Sequence, residues 1–311
     1  MKDVLLILNP MAGLRRANRY LPDIIRLFIE RGYRCEVFVT GAAGDATRYL
    51  SGCGRQYDLI ACAGGDGTLN ETIAGMLAGN VTCPLGYIPC GTTNDYANSI
   101  GLSTDVMRAA RDIVDGFARS IDIGSFNGRH FVYTATCGAF ARASYSTPQA
   151  VKNVLGHTAY ILEGLRDLTT IKPIHMRVEA DDRTLDDEFI LCSITNSTSV
   201  GGILKLDAQM VALNDGKFEV ILVRAPATPA QFSRILYGLT AQDLPNEMIH
   251  FFSASRIRVT CDAPMEWTLD GEHEPETRVA NLDNLHSAVR IMIPEGSDGA
   301  PFAPEPEEED A

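Results

Sequence analysis

The chain has 311 residues, 45% of them apolar and 22% charged, enough for a sizeable core and, at this length, for two domains. Its formal charge of −13 argues against a nucleic-acid partner, which normally calls for a basic face. Five of those charges, Glu305, Glu307, Glu308, Glu309 and Asp310, lie in PFAPEPEEEDA, which leaves −8 on the rest and predicts a disordered acidic tail over 297–311.

The N-terminal MKDVLLILNP is short and soon broken by Asn9-Pro10, so it does not read as a leader. No run approaches the roughly 18 apolar residues of a spanning helix, and a cytoplasmic protein is expected. The first third then alternates strand-like and helical patterns: DVLLILN (3–9), a helix over 16–31, CEVFVT (35–40), a short helix over 45–50, LIACA (59–63) and a helix from about Leu69. PLGYIP (84–89) follows, then a helix from about Asn94 and VMRAARDIVDG (106–116). Strands alternating with helices predict βαβ units and a mostly parallel sheet.

After about Arg119 the rhythm changes. SIDIGSF, HFVYTATC, HMRVEA, FILCSITN, KFEVILV, RIRVTC and MEWTLD are strand-like and joined mostly by turns, with helical patterns over 150–168 and 229–240. The expected organisation is an α/β domain over 1–120 and an antiparallel β domain over 121–285. HSAVRIMIP is a last strand, and the segment 286–296 can return to the first domain. Eight scattered cysteines (Cys35, Cys53, Cys62, Cys83, Cys90, Cys137, Cys192 and Cys261) form no C-x-x-C pair and are expected to be free thiols.

The densest motif is CAGGDGTLNET, from Cys62 to Thr72. Glycine takes positive φ without strain and has no Cβ, so Gly64, Gly65 and Gly67 let successive N–H groups face one concavity. Thr68 reads as the N-cap of the following helix, with Glu71 three residues on completing a T-x-x-E capping box. A helix N-terminus adds free N–H groups and partial positive charge, which suit phosphate. Asp66 is unfavourable in such a turn unless a cation joins it, and a magnesium ion carried by a nucleotide would be that cation.

Two other segments share the design. GYIPCGTTNDYANSIG (86–101) runs from a strand through Gly91 and Thr92 to Asp95 at a helix start, and LILNPMAG (6–13) ends its strand in Asn9-Pro10 and Gly13. In an open α/β sheet the loops at the carboxyl ends of strands gather along one edge, so three polar loops would converge on one crevice. No G-x-x-x-x-G-K-[ST] occurs, and Asn70 stands where G-x-G-x-x-G needs its third glycine.

Taken together, GGDGTLNE, NPMAG and P-x-GTTND-x-A resemble the diacylglycerol kinase catalytic-domain family, in particular its soluble bacterial lipid kinases, over nearly the whole chain to about residue 295. GGDGT alone is shared with NAD kinases and phosphofructokinase-like folds, and GTTNDYA is the part that points to lipid kinases. The resemblance implies α/β plus all-β architecture, with ATP between an N-terminal α/β domain and a C-terminal β-sandwich. Its pocket would comprise Asn9, Pro10, Met11, Ala12, Gly13, Thr40, Gly64, Gly65, Asp66, Gly67, Thr68, Leu69, Asn70, Glu71 and Thr92.

MEWTLDGEHEP (265–275) by itself reads as a hairpin tip. The resemblance makes Glu272 of its Asp-Gly-Glu the general base, with Asp66 and Asp270 as further catalytic carboxylates. VALNDGKFEVIL (211–222) likewise reads as a turn between strands, and the resemblance implies a structural magnesium ion on Asp215 with the carbonyls of Ala212 and Lys217. VGGILKLDAQ departs from relatives, which commonly have a longer glycine run and an Ala-Pro there.

The leading expectation is therefore an ATP- and magnesium-dependent lipid kinase of phospholipid metabolism, acting on diacylglycerol, a polyprenol or a sphingoid base. It would meet its lipid by peripheral contact at the inner face of the membrane, bind no nucleic acid, and leave its oligomeric state open, a homodimer included. NAD kinase, a nucleotide-binding regulator without chemistry and a lipid-binding module are the alternatives. GTTNDYA and the Asp-Gly-Glu disfavour the first, and the intact Asp66, Asp270 and Glu272 disfavour the second.

Overall fold

The computed structural model describes residues 1–138, 172–200, 204–297 and 301–304. The apolar stripe Tyr160, Ile161, Leu162 and Leu165, expected as core, lies outside them.

Four apolar runs form the parallel part of the sheet: β1 (Lys2–Leu8), β2 (Tyr33–Val39), β3 (Leu59–Gly64) and β4 (Leu85–Pro89), in the spatial order β2-β1-β3-β4. Every residue of β3 and β4 is buried, as befits strands covered on both faces. Helix α1 (Arg16–Glu30) presents Ile24, Leu27 and Phe28 to one face, beside Ala109 and Ile113 of α5 (Val106–Asp115). On the other face α2 (Asp45–Ser51) and α3 (Asp66–Ala78) contribute Leu50, Leu69, Ile73 and Met76. The chain leaves β1 on one side to make β2 and returns on the other to make β3. The loops after β1 and β3 therefore part at a topological switch point, where open α/β sheets leave a crevice.

A short helix α4 (Asp95–Ser99) precedes α5, and the remainder is built mainly of antiparallel strands. These are β5 (Phe117–Phe126), β6 (Arg129–Phe131), β7 (Thr134–Gly138), β8 (Ile174–Ala180), β9 (Arg183–Thr195), the small pair β10 (Ser199–Val200) and β11 (Leu204–Lys205), and β12 (Phe218–Arg224). Helix α6 (Pro229–Ala241), started by a Thr228 side chain that accepts from Gln231 N–H, leads to β13 (Ile249–Ala254), β14 (Arg256–Leu269) and β15 (Glu272–Ile293). Phe131, Phe189, Phe218 and Trp267 fill a core of their own between these strands. The architecture is thus α/β followed by an antiparallel, β-rich unit.

Three features depart from the sequence reading. HFVYTATC is two strands, because the chain turns aside at Val132 and Tyr133 to give its N–H groups to Asp270. β13, which completes one edge of the sheet, was not anticipated. The tail expected to be solvated from 297 is docked over 301–304, where the Pro301 carbonyl accepts from Leu213 N–H and Asn214 exchanges hydrogen bonds with Ala303.

RIRVTC and MEWTLD merge into β14, and HSAVRIMIP is the end of β15. β15 is 22 residues long, pairs antiparallel with β14 and β5, and meets β4 in parallel at Ile291↔Leu85. Shifts in its register between Leu285 and Val289 let one strand serve both parts of the molecule. All eight cysteines are free thiols. No described helix is long and apolar enough to cross a membrane.

The seating of α3 against α2 depends on a missing side chain. A Cβ at Gly75 would lie 2.8 Å from Leu50 Cβ and 2.9 Å from Thr47 Cα. Gly75→Ala is expected to lower unfolding stability by about 1–3 kcal/mol through overpacking, measured by urea titration.

Candidate active site

The three polar loops meet. Asn9, just past β1, donates from Nδ2 to Thr68 Oγ1 at 2.9 Å, and its Oδ1 accepts from Met11 N–H at 3.0 Å. Gly13 has φ +50°, and a Cβ there would fall 1.7 Å from the Cys90 carbonyl oxygen. A Cβ on Gly91 would lie 2.8 Å from Gly65 Cα, so the loops after β3 and β4 touch through two glycines. Only residues without a Cβ allow this approach.

Helix α3 starts earlier than the sequence reading placed it. Gly65 is its N-cap and Asp66 its first residue, so the T-x-x-E box does not form. Thr68 sits inside the first turn with its hydroxyl turned to Asn9, and Glu71 reaches sideways to accept from Gly44 N–H at 2.7 Å. The first intrahelical bond runs from Leu69 N–H to the Gly65 carbonyl. This leaves the N–H groups of Asp66, Gly67 and Thr68 without intrahelical acceptors at the positive end of the helix.

Asp66 also has a different explanation from the one its sequence context invited. Its carboxylate accepts from the N–H groups of Asp95 (3.1 Å) and Tyr96 (3.4 Å), and from the hydroxyls of Thr93 (3.3 Å) and Tyr87 (3.4 Å). It lies against the first turn of α4, with Asn94 in left-handed backbone as that helix's N-cap. Burial pushes its carboxyl above the usual range, and these donors pull it back. The charge in the glycine turn is therefore answered first by protein donors.

The Asp-Gly-Glu hairpin is brought to the same place. Asp270 is buried, and its oxygens accept from Val132 N–H (2.6 Å), Tyr133 N–H (2.9 Å), Thr134 N–H (3.0 Å) and Asn70 Nδ2 (2.7 Å). Burial pushes Asp270 up to about 6 against the pull of those four donors. Because Asn70 belongs to α3 and also donates to the His130 carbonyl, it fixes that helix to β6 and to the β14–β15 turn. Beyond the turn, Glu272 Oε1 stands 3.2 Å from where a Cβ on Gly67 would be. A carboxylate oxygen thus overlooks the N-terminal turn of α3.

The remaining sequence candidates divide. Met11 and Thr92 are exposed, the Pro10 carbonyl accepts from Asn18 Nδ2, and Ala12 opens a short 3-10 turn. Thr40 is buried, with its hydroxyl turned to the Leu8 carbonyl. Leu69 is core, and Glu71 faces α2.

Asp215 is on the loop before β12, where its carboxylate accepts from Lys217 N–H at 2.9 Å. Among the described residues no three His, Cys, Asp or Glu side chains are grouped to hold a metal. A cation at this loop would have to draw on backbone carbonyls beside Asp215, which the oxygen preference of magnesium allows. Glu219 Oε2 and Asn196 Oδ1 are buried without hydrogen-bond partners, and Asn196 Nδ2 reaches the Leu213 carbonyl of the same loop. Spare oxygen acceptors near a carboxylate fit a hard cation.

Two residues escaped the sequence reading. Asp122, fully buried on β5, accepts from Gly216 N–H (2.6 Å) and Ser287 N–H (2.7 Å) and pairs with His286 Nδ1 (3.0 Å), so it holds the Asp215 loop. The alternation of SIDIGSF, which puts Ile121 and Ile123 on one face and Asp122 on the other, gave no signal, because β5 is buried on both faces at this point. Arg129 on β6 forms ion pairs with Glu272 and Glu274, and nothing in NGRHF marks it.

The family model described as the diacylglycerol kinase catalytic domain matches residues 3–126, and that of the YegS C-terminal NAD kinase beta sandwich-like domain matches 134–293. A diacylglycerol kinase of Bacillus subtilis (strain 168) is 34% identical over 297 residues, covering 94% of this chain and 97% of the relative. One from Staphylococcus saprophyticus is 32% identical, with 94% and 96% covered. A crystal structure of a diacylglycerol kinase from Bacillus anthracis shares the fold, with a TM-score of 0.73, 22% identity, and 95% and 98% of the two chains covered.

Asn70→Ala would leave buried Asp270 one donor short. The variant is expected to lose about 1–3 kcal/mol of unfolding stability, measured by denaturant titration beside a change at an exposed side chain such as Glu30→Gln.

Proposed function

The chain belongs to the diacylglycerol kinase catalytic-domain family and is a lipid kinase-like enzyme, and from that premise we propose that it transfers the γ-phosphate of ATP to a lipid hydroxyl with Glu272 as general base. The observation that carries this reading is the approach of Glu272 Oε1 to Gly67, at the helix end with unpaired N–H groups. Phosphate oxygens would lie against the N–H groups of Gly67 and Thr68, framed by the loops at Asn9–Gly13 and Gly91–Thr92. As the lipid oxygen bonds to the γ-phosphorus, its proton passes to Glu272 and the bond to the β–γ bridging oxygen breaks, releasing ADP. Asp270 acts by holding the hairpin, and Asp66 by holding the α4 turn.

Magnesium, when bound, would spread the charge of the transferring phosphoryl group and, at the Asp215 loop, brace the backbone of Ala212 and Lys217. Our reading divides the chain into an ATP-binding part to about residue 120, joined by the end of β15, and a lipid-binding part over 121–285. The acceptor is diacylglycerol or a related lipid alcohol, met by peripheral contact with a membrane from the cytoplasmic side.

Purified protein incubated with labelled ATP and magnesium, and in separate reactions with NAD or with mixed micelles of diacylglycerol, a polyprenol or a sphingoid base, is expected to label a lipid and not NAD. Glu272→Gln is expected to lower kcat by about 100-fold or more with folding intact. Labelling of NAD in place of every lipid would overturn the lipid assignment, and equal rates for wild type and Glu272→Gln would remove the base.

The rate should also follow the state of Asp270. Its folded value near 6 lies above the ordinary carboxylate value, so the folded chain takes up this proton before the unfolded chain as pH falls. Protonation there turns an O–H toward donors but does not itself favour unfolding. Activity is expected to drop through about pH 6 while circular dichroism stays native. Asp270→Asn should be slow at every pH and lack that inflection.

A further inference from the structure

Arg129 is the one cation ion-paired with Glu272 among the described residues, and the way it is held goes beyond a surface ion pair. It follows the Asn127-Gly128 turn between β5 and β6, whose two residues have φ of +47° and +89°, the left-handed pair that a tight hairpin needs. That turn is fastened to β15: Asn127 N–H donates to the Asn281 carbonyl at 2.9 Å, and Asn281 N–H donates to Asn127 Oδ1 at 3.0 Å. The base of the Arg129 side chain is thereby fixed relative to the strand that carries Glu272.

At the other end the guanidinium forks. Nη1 donates to Glu274 Oε1, and Nη2 donates to Glu272 Oε2 at 2.7 Å. Glu272 and Glu274 are two apart on β15 and so share a face, where a single planar cation can reach both. Their surroundings differ: the Glu274 side chain is 9% exposed and that of Glu272 55%. Burial pushes the Glu274 carboxyl up and Arg129 pulls it down, so the pair with Glu274 is the anchor. Glu272 is the oriented member. Its Oε2 is occupied by Arg129, which turns Oε1 toward Gly67.

We propose that Arg129 is a positioning residue for phosphoryl transfer: anchored on Glu274, it holds one oxygen of Glu272 and aims the other at the N-terminal turn of α3. This rests on Glu272 being the base. Without the guanidinium, Glu272 faces a like charge two residues away and loses its fixed rotamer, and a misplaced base is costly even when substrates still bind. Arg129 itself touches neither phosphate nor lipid in this scheme.

The test uses full-length protein, magnesium-ATP and diacylglycerol in mixed micelles, with Arg129→Met, Arg129→Lys, Glu274→Gln, Glu272→Gln and the double variant Arg129→Met/Glu272→Gln. Arg129→Met is expected to lower kcat about 10- to 100-fold while the KM for ATP stays within about two-fold of wild type. Arg129→Lys keeps the charge without the fork and should recover part of the rate, as should guanidinium ion added at low concentration to Arg129→Met. Glu274→Gln should give a smaller loss, and the double variant should be no slower than Glu272→Gln alone.

A wild-type rate for Arg129→Met overturns the proposal, and so does a raised KM for ATP with unchanged kcat, which would make Arg129 a phosphate contact. Losses that multiply in the double variant, without rescue by lysine or guanidinium, reduce it to a structural ion pair. A fast Glu272→Gln defeats the general-base reading itself, whereas a slow Glu272→Gln with a fast Arg129→Met defeats only the positioning role.

Discussion

The buried carboxylate of Asp270 joins parts of the chain that are distant in sequence. Four donors converge on it, three from the backbone at 132–134 and one from Asn70 on α3, so the helix after the glycine turn, the β6–β7 connection and the β14–β15 hairpin share one anchor. A charge placed there without donors would be strongly unfavourable, and with all four it specifies a single arrangement. Glu272 lies two residues beyond this anchor. Its position over Gly67 depends on the anchor as much as on its own side chain.

The opposite wall of the crevice is defined by contacts too close for side chains. Gly65 meets Gly91, and Gly13 meets the backbone of Cys90, while Asn9 and Thr68 tie the end of β1 to the first turn of α3. These loops lie at the switch point between β1 and β3, so the sheet topology directs them to one side. Asp66 then closes the arrangement by accepting from the first turn of α4. The acidic residues around the crevice thus do separate jobs: Asp66 and Asp270 hold backbone, and Glu272 is left facing the crevice with Arg129 at its side.

Much of this was readable along the chain. The alternation of LIACA and PLGYIP with helical segments marked buried parallel strands, and the sequence of turns after residue 119 marked the antiparallel part. The glycine turn was recognisable by its composition, although Gly64, Gly65 and Gly67 do not take positive φ; what excludes side chains there is Thr68, 2.5 Å from where a Cβ on Gly64 would be, and Gly91 against Gly65. The T-x-x-E box was a false signal for a related reason. Thr68 and Glu71 have the spacing of a cap, but Asn9 and Gly44 offer them tertiary partners, and the helix begins two residues before Thr68.

Sequence by itself determined the two-part architecture, the three glycine-bearing polar loops and the family resemblance, because periodicity, glycine placement and motif spacing all act over a few residues. The tertiary structure decided what the charged residues do. Asp66 looked as if it required a cation, yet it caps a neighbouring helix; Asp270 looked like a hairpin tip, yet it anchors three segments; Arg129 carried no signal, yet it holds Glu272. The role of a carboxylate depends on which donors surround it. Donor and carboxylate come from positions as far apart as Asn70 and Asp270, which meet only when β15 brings the two halves of the chain together.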